Sequence, residues 1–270
     1  MTTVAAPQRL TALGEVVIIG GGCYGSFYTG QLLAGREKGL LTFERLLVID
    51  RDAGCQVARE RPGVSGVEVV VAEWGAFLDR YLVERKVVEG DVIVPSPFMP
   101  HLLREWLLRQ SAARWQGRET GSGPLVAEVG TPYERRGGDQ ATYLSWADWI
   151  CPTHCTEPAL CPVIRAPRTW SMTEDLQRFA AQTGASGPLL FEVRHLAHGV
   201  GGFHTSDVIA ARDRLVEIGS RGPAEVVIAT TSHCHAAAGV LTTIRPALYQ
   251  AGGNWTWQVS HPNIQIPHRG

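Results

Sequence analysis

The sequence is short of lysine, of net charge and of long apolar runs, and each shortage removes a class of function. Lys38 and Lys86 are its only lysines, and 25 Lys+Arg against 26 Asp+Glu leave a formal charge of -1. That balance supplies no broad basic face for a phosphate backbone, so nucleic acid is not expected as a partner. No run approaches the roughly 18 apolar residues needed to cross a bilayer, and residues 1–15 lack the basic segment and apolar stretch of a secretory signal. A cytoplasmic location without a membrane partner is therefore expected. Thiols stay reduced there, so the six cysteines are expected to be buried, catalytic or metal-bound rather than paired in disulfides. No internal repeat and no Tyr-x-x-x-Lys couple is present.

What is there reads as an ordinary packed chain: 44% hydrophobic and 19% charged over 270 residues, enough for one large domain or two modest ones. Short β-branched runs at 16–19, 46–49, 67–71 and 92–94 alternate with helix-like segments at 24–38, 55–61, 74–87 and 98–115. Ser96 and Pro97 suit the start of the last of these. The rhythm predicts βαβ units and a doubly wound parallel sheet, an α/β fold with a Cys-rich irregular insertion and a C-terminal α/β part. The expected divisions are 1–116, 117–172 and 173–270. A short strand is expected at 125–129, and strands at 188–193 and 225–230 with helices at 206–218 and 236–244. Trp255 and Trp257 suggest a last strand.

The clearest motif is Gly20-Gly21-Gly22-Cys23-Tyr24-Gly25, a GxGxxG turn between an aliphatic strand and a helix. In such a turn the first glycine permits the bend, the second lets a diphosphate approach the backbone, and the third lets helix and strand pack closely. The run at 46–49 ends in Asp50, placed to hold a ribose hydroxyl and to favour NAD over NADP, while the adjacent Arg51 leaves NADP open. Cys23 and Tyr24 would border the phosphates, and Ser96 and His101 follow the fourth strand, where the crevice of an open sheet lies. With these residues, 15–110 resembles the NAD(P)-binding Rossmann superfamily, in the manner of dehydrogenases and TrkA-type nucleotide-binding domains. The resemblance implies bound NAD(H) or NADP(H), less often FAD. It covers little more than a third of the chain.

A second constellation is Cys151, Cys155 and Cys161, spaced C-x3-C-x5-C among Pro152, Pro158 and Pro162, with Cys234 far downstream between His233 and His235. Three thiolates within eleven residues suit a soft metal, the fourth ligand being Cys234 or a histidine. The Cys-Pro pairs suggest an iron–sulfur cluster, [4Fe-4S]; zinc competes, and simple burial is the third reading. A helix start after Cys234 would lower its pKa, which makes Cys234 a candidate nucleophile with His233 beside it. His101 is a further catalytic candidate, and His195, His198 and His204 flank a glycine-rich turn.

Together these predict an NAD(P)-dependent oxidoreductase exchanging electrons with an unknown small-molecule substrate, a redox partner protein or a thiolate-bound centre. The alternative is a non-enzymatic NAD(H)- or redox-sensing regulatory subunit, and methyl transfer from S-adenosylmethionine ranks third. An oligomer is compatible with either leading reading.

Overall fold

The computed structural model describes residues 11–84, 89–95, 102–115, 118–152 and 155–244, so Ser96, His101, Trp255 and Trp257 lie outside the described residues. In chain order the elements are β1 (Thr11–Ala12), β2 (Glu15–Ile19), α1 (Cys23–Glu37), β3 (Leu41–Thr42), β4 (Arg45–Asp50), α2 (Gln56–Glu60), β5 (Val67–Val71), α3 (Trp74–Glu84) and β6 (Val92–Val94). There follow α4 (Leu102–Arg114), β7 (Glu119–Gly123), β8 (Tyr133–Arg136), β9 (Thr142–Ser145), α5 (Met172–Thr183), β10 (Pro188–Glu192), β11 (Arg194–Ala197), β12 (Val200–His204), α6 (Thr205–Arg221), β13 (Ala224–Thr231) and β14 (His235–Ile244).

The doubly wound parallel sheet expected from the sequence is not what forms. Two six-stranded sheets are present and both mix directions. The first runs β11-β12-β6-β2-β4-β5; its four strands β6, β2, β4 and β5 are parallel, whereas β12 lies antiparallel to β6 and β11 antiparallel to β12. The second runs β10-β13-β14-β9-β8, with β7 also on β14. Only β10 and β13 are parallel in it. Among the described residues the one wholly parallel sheet is the two-stranded pair β1–β3.

Connection length explains the difference, because a parallel neighbour needs a crossover of a dozen or more residues while a hairpin needs only a few. Between β11 and β12 stand only His198 and Gly199, both with positive φ (46° and 80°), so the chain must double back. Residues 232–234 likewise join β13 to β14. Residues 236–244, expected as a helix, are therefore a strand whose partners run from Thr231↔Ala236 to Ala224↔Thr243. The stretch 125–129 is not a strand; Leu125 is buried and its N–H donates to Thr142 Oγ1.

Period-two alternation sorts β2 and β4 onto two faces. Val16, Ile18, Leu46 and Val48 pack with Leu32 and Leu33 of α1. Val17, Ile19, Leu47 and Ile49 join Trp106 of α4 and Leu215 of α6 in a core that continues to Val226, Ile228 and Leu241 of the second sheet. The outer face of that sheet packs Val227, Ala229 and Val240 against Leu176 and Phe179 of α5. α5 was not expected from the sequence. Ser171 caps it through Glu174 N–H, and Gly184 ends it at φ 72°. Among the described residues no helix is long and apolar enough to cross a membrane.

Trp106, fully buried in the core shared by both sheets, is the side chain whose loss opens the largest void. Trp106→Ala is expected to cost about 3–5 kcal/mol and to lower the melting temperature by on the order of 10 °C. A fall of a degree or two in thermal unfolding would contradict the shared core.

Candidate functional site

The glycine bend leaves β2 buried and turns at Gly20, whose φ of 91° suits only glycine. A Cβ on Gly25 would collide with the Gly20 carbonyl, and one on Gly21 with the buried Cys55 sulfur, whereas one on Gly22 would meet nothing within 4 Å. The bend is therefore closed beneath and open above Gly22. No side chain caps α1 and no acid occupies its first turn, so its N-terminal dipole and amides face the open side. Asp50 joins the bend: Oδ2 accepts the Gly21 N–H at 2.7 Å and Oδ1 the Asp52 N–H at 2.9 Å. Cys23 and Arg51 are exposed, and Tyr24 is half-buried with its ring centroid 6.1 Å from that of Tyr28.

The cysteines gather elsewhere, in a chamber of about 460 Å³ between the two sheets. Cys151, Cys155, Cys161 and Cys234 all line it, with Glu157 and His235. Tyr28 of α1 and Pro95 beyond β6 form part of the same wall, so the helix that leaves the glycine bend borders the chamber. His233 is not among the lining residues, and His154 lies outside the described ones.

Glu157 organises this chamber. It sits at φ 49°, and its carboxylate accepts from Ser232 Oγ at 2.8 Å, His233 N–H at 2.8 Å and Cys234 N–H at 3.2 Å. His195 Nε2 stands 3.7 Å away. Burial opposes its ionisation, but the hydrogen bonds from His195, His233 N–H, Ser232 and Cys234 N–H outweigh that and bring its pKa down to about 2. The loop bearing Cys155 is thereby clamped to the β13–β14 turn bearing Cys234. Tight turns aim the other sulfurs: Cys155 N–H bonds Pro152 O, Cys161 N–H bonds Ala166 O, and Arg165 N–H bonds Cys161 O.

Cys234 begins no helix; it lies in a hairpin turn, so the helix-start lowering of its pKa does not arise. Burial raises it instead, against the Trp170 N–H donated to its sulfur at 3.4 Å. Burial, then the neighbouring Cys155 and Cys161, raise Cys151 as well. Neither thiol is an activated nucleophile in this arrangement. Cys151 Sγ lies 3.8 Å from His235 Nε2. Tyr143, also on the wall, is pushed up to about 12 by burial and by its 2.5 Å hydrogen bond to Asp139. Trp170 stacks on Trp146 and meets Trp149 edge-on behind the sulfurs.

Four thiols and an imidazole are soft-metal chemistry, although among the described residues no group of three or more His, Cys, Asp or Glu is arranged to hold a metal ion. Glu157 and Tyr143 escaped sequence reasoning. The position of Glu157 between Cys155 and Cys161 was the available signal; its partners lie 75 to 77 residues away.

Residues 103–244 match the family described as "Uncharacterized protein, C-terminal domain", more than half of the chain, and the chain belongs to that family. The matched stretch contains all four chamber cysteines and Glu157 but not the glycine bend. No curated protein and no solved structure matches the chain.

Glu157→Gln keeps the shape but removes the charge, so about 1.5–3 kcal/mol of charge-assisted hydrogen bonding should go, read as a lower denaturant midpoint; an unchanged midpoint would contradict the clamp. Tyr143, half-buried, should remain protonated through pH 10. Its folded pKa is raised, so its stabilising contribution is complete below pH 10 and is lost as pH rises through 12. Ultraviolet titration of Tyr143→Phe should lack that late component, and loss of an ordinary component near pH 10 would contradict it.

Proposed function

We propose that this chain, from a family whose description names no activity, is an NAD(P)-dependent oxidoreductase that binds its dinucleotide on the glycine bend and exchanges electrons at the thiol chamber. One observation carries the reading: α1 starts at the open bend and, one turn later, presents Tyr28 to the chamber. Gly20 permits the bend, its own N–H going to Ile49 O, and the N–H groups from Gly22 to Gly25 at the start of α1 are left for a diphosphate. Asp50, held by two backbone N–H groups, retains lone pairs for a ribose hydroxyl, and its charge disfavours a 2′-phosphate. Cys23, Tyr24 and Arg51 border that place.

The dinucleotide supplies hydride chemistry when bound; the chain binds it, orients it and excludes water. Cys151, Cys155 and Cys161, with Cys234 or a histidine, would hold an iron–sulfur cluster or zinc, and the donor set suits either. The chamber volume of about 460 Å³ is within the range of small-molecule sites, which leaves room for an organic substrate. A second reading, an NAD(H)-responsive regulatory subunit, is favoured by the upward pKa shifts of Cys151, Cys234 and Tyr143, which work against an activated thiolate or phenolate. It shares the nucleotide site and lacks turnover.

Calorimetric titration with NADH and NADPH tests the shared premise. Gly22→Ala should weaken NADH at least tenfold with little change in melting temperature, since a Cβ on Gly22 meets only open space, whereas Asp50→Ala should weaken NADH and also lower the melting temperature, because the Gly21 and Asp52 N–H groups lose their acceptor. Gly25→Ala should instead destabilise the fold. Oxidation of NADH by an added acceptor identifies the enzyme, and saturable binding without turnover the regulator. Absence of saturable binding by either nucleotide would overturn both readings.

A further inference from the structure

We infer that the chamber takes one four-coordinate soft metal ion, of the zinc type, on Cys151, Cys155, Cys161 and His235, with Cys234 outside its coordination shell. The inference rests on the thiolate centre proposed above and fixes its nuclearity and its fourth ligand. The first ground is the 3.8 Å separation of Cys151 Sγ and His235 Nε2. Around a tetrahedral ion, metal–sulfur bonds of about 2.3 Å and metal–nitrogen bonds of about 2.0–2.1 Å place the two donors about 3.6 Å apart. Donors to an iron–sulfur cluster sit on separate irons and are spread by the inorganic core. The edge already present is that of a mononuclear site.

The second ground is the hairpin. Cys234 closes the β13–β14 turn and His235 opens β14, and both border the chamber with different partners. Cys234 is 5% exposed and its sulfur accepts the Trp170 N–H; His235 meets Cys151. Cys155 and Cys161 open on the same chamber, and Cys155 Sγ accepts the Glu157 N–H at 3.4 Å. Because the shell is not closed among the described residues, the ion draws Cys155 and Cys161 toward the Cys151–His235 edge. Metal binding thus stabilises the loop as well as filling it.

The test uses the full chain, purified without oxygen, with zinc and cobalt(II) as probes. Elemental analysis should give one zinc per chain without acid-labile sulfide. Cobalt(II) titration of the unaltered chain should give the intense visible bands of a tetrahedral ion with a sulfur-to-cobalt charge-transfer band. His235→Ala should weaken cobalt at least tenfold, and Cys234→Ser should stay within threefold of the parent. A brown protein with matched iron and sulfide would overturn this ligand set while leaving the thiolate centre. Loss of cobalt in Cys234→Ser with none in His235→Ala would overturn it equally. If no metal binds, the inference and the thiolate centre fall together, and the NADH titration still judges the nucleotide site separately. The spectrum of the unaltered chain decides geometry even where a variant fails to fold.

Discussion

The Glu157 carboxylate ties the middle of the cysteine loop to the β13–β14 turn, whose carbonyls at Cys234 and His233 hold the two ends of that loop through Trp146 N–H and Met172 N–H. On one side lies a loop of prolines and cysteines with few backbone hydrogen bonds, and on the other the turn between β13 and β14. Three donors from that turn converge on one carboxylate. A buried charge is costly without such partners and strongly anchoring with them. The pull of these donors on its pKa, down to about 2, reflects the same preference for the ionised form. The contact helps to set where Cys155 and Cys234 stand relative to one another.

The sheets supply the frame around it. Short connections force β11–β12 and β13–β14 to return antiparallel, and β12 then extends the edge of the parallel strands beside β6. A core running from Ile19 and Ile93 to Phe203, Phe191 and Ile228 fastens the two sheets to each other through α4 and α6. The chamber lies where that arrangement leaves the glycine-bend helix and the cysteine loop facing the same space. Fold and site are therefore linked by connection length more than by any single motif.

Much of the first sheet was legible. Strands form at β2, β4, β5 and β6 where β-branched runs stand between Gly, Asp and Pro, since such residues suit a doubly covered strand. Direction at the sheet edge was not legible, because Gly199 and Gly201–Gly202 mark a turn without stating what pairs with it. Residues 236–244 misled through their alanines, which favour helix locally; pairing with β13 along the whole strand overrode that preference. α5 could have been read, since Ser171 and Glu174 stand three apart as in a capping box. In the site, cysteine spacing pointed to one gathering place, but the left-handed φ of Glu157 and its distant partners leave no local pattern. Which of His233 and His235 meets the sulfurs depends on the β13–β14 turn, which leaves His233 off the chamber and His235 on it, and no local pattern signals that.

We propose that the bend at Gly20–Gly25 holds a diphosphate and delivers its dinucleotide toward the thiols. A crystal structure of the chain grown with NADH tests this most directly. The account predicts the diphosphate over Gly22 at the start of α1, a ribose hydroxyl on Asp50, and the nicotinamide end on the side of Tyr28 and Pro95. Density for the nucleotide anywhere else, with the bend closed over by protein, would contradict it.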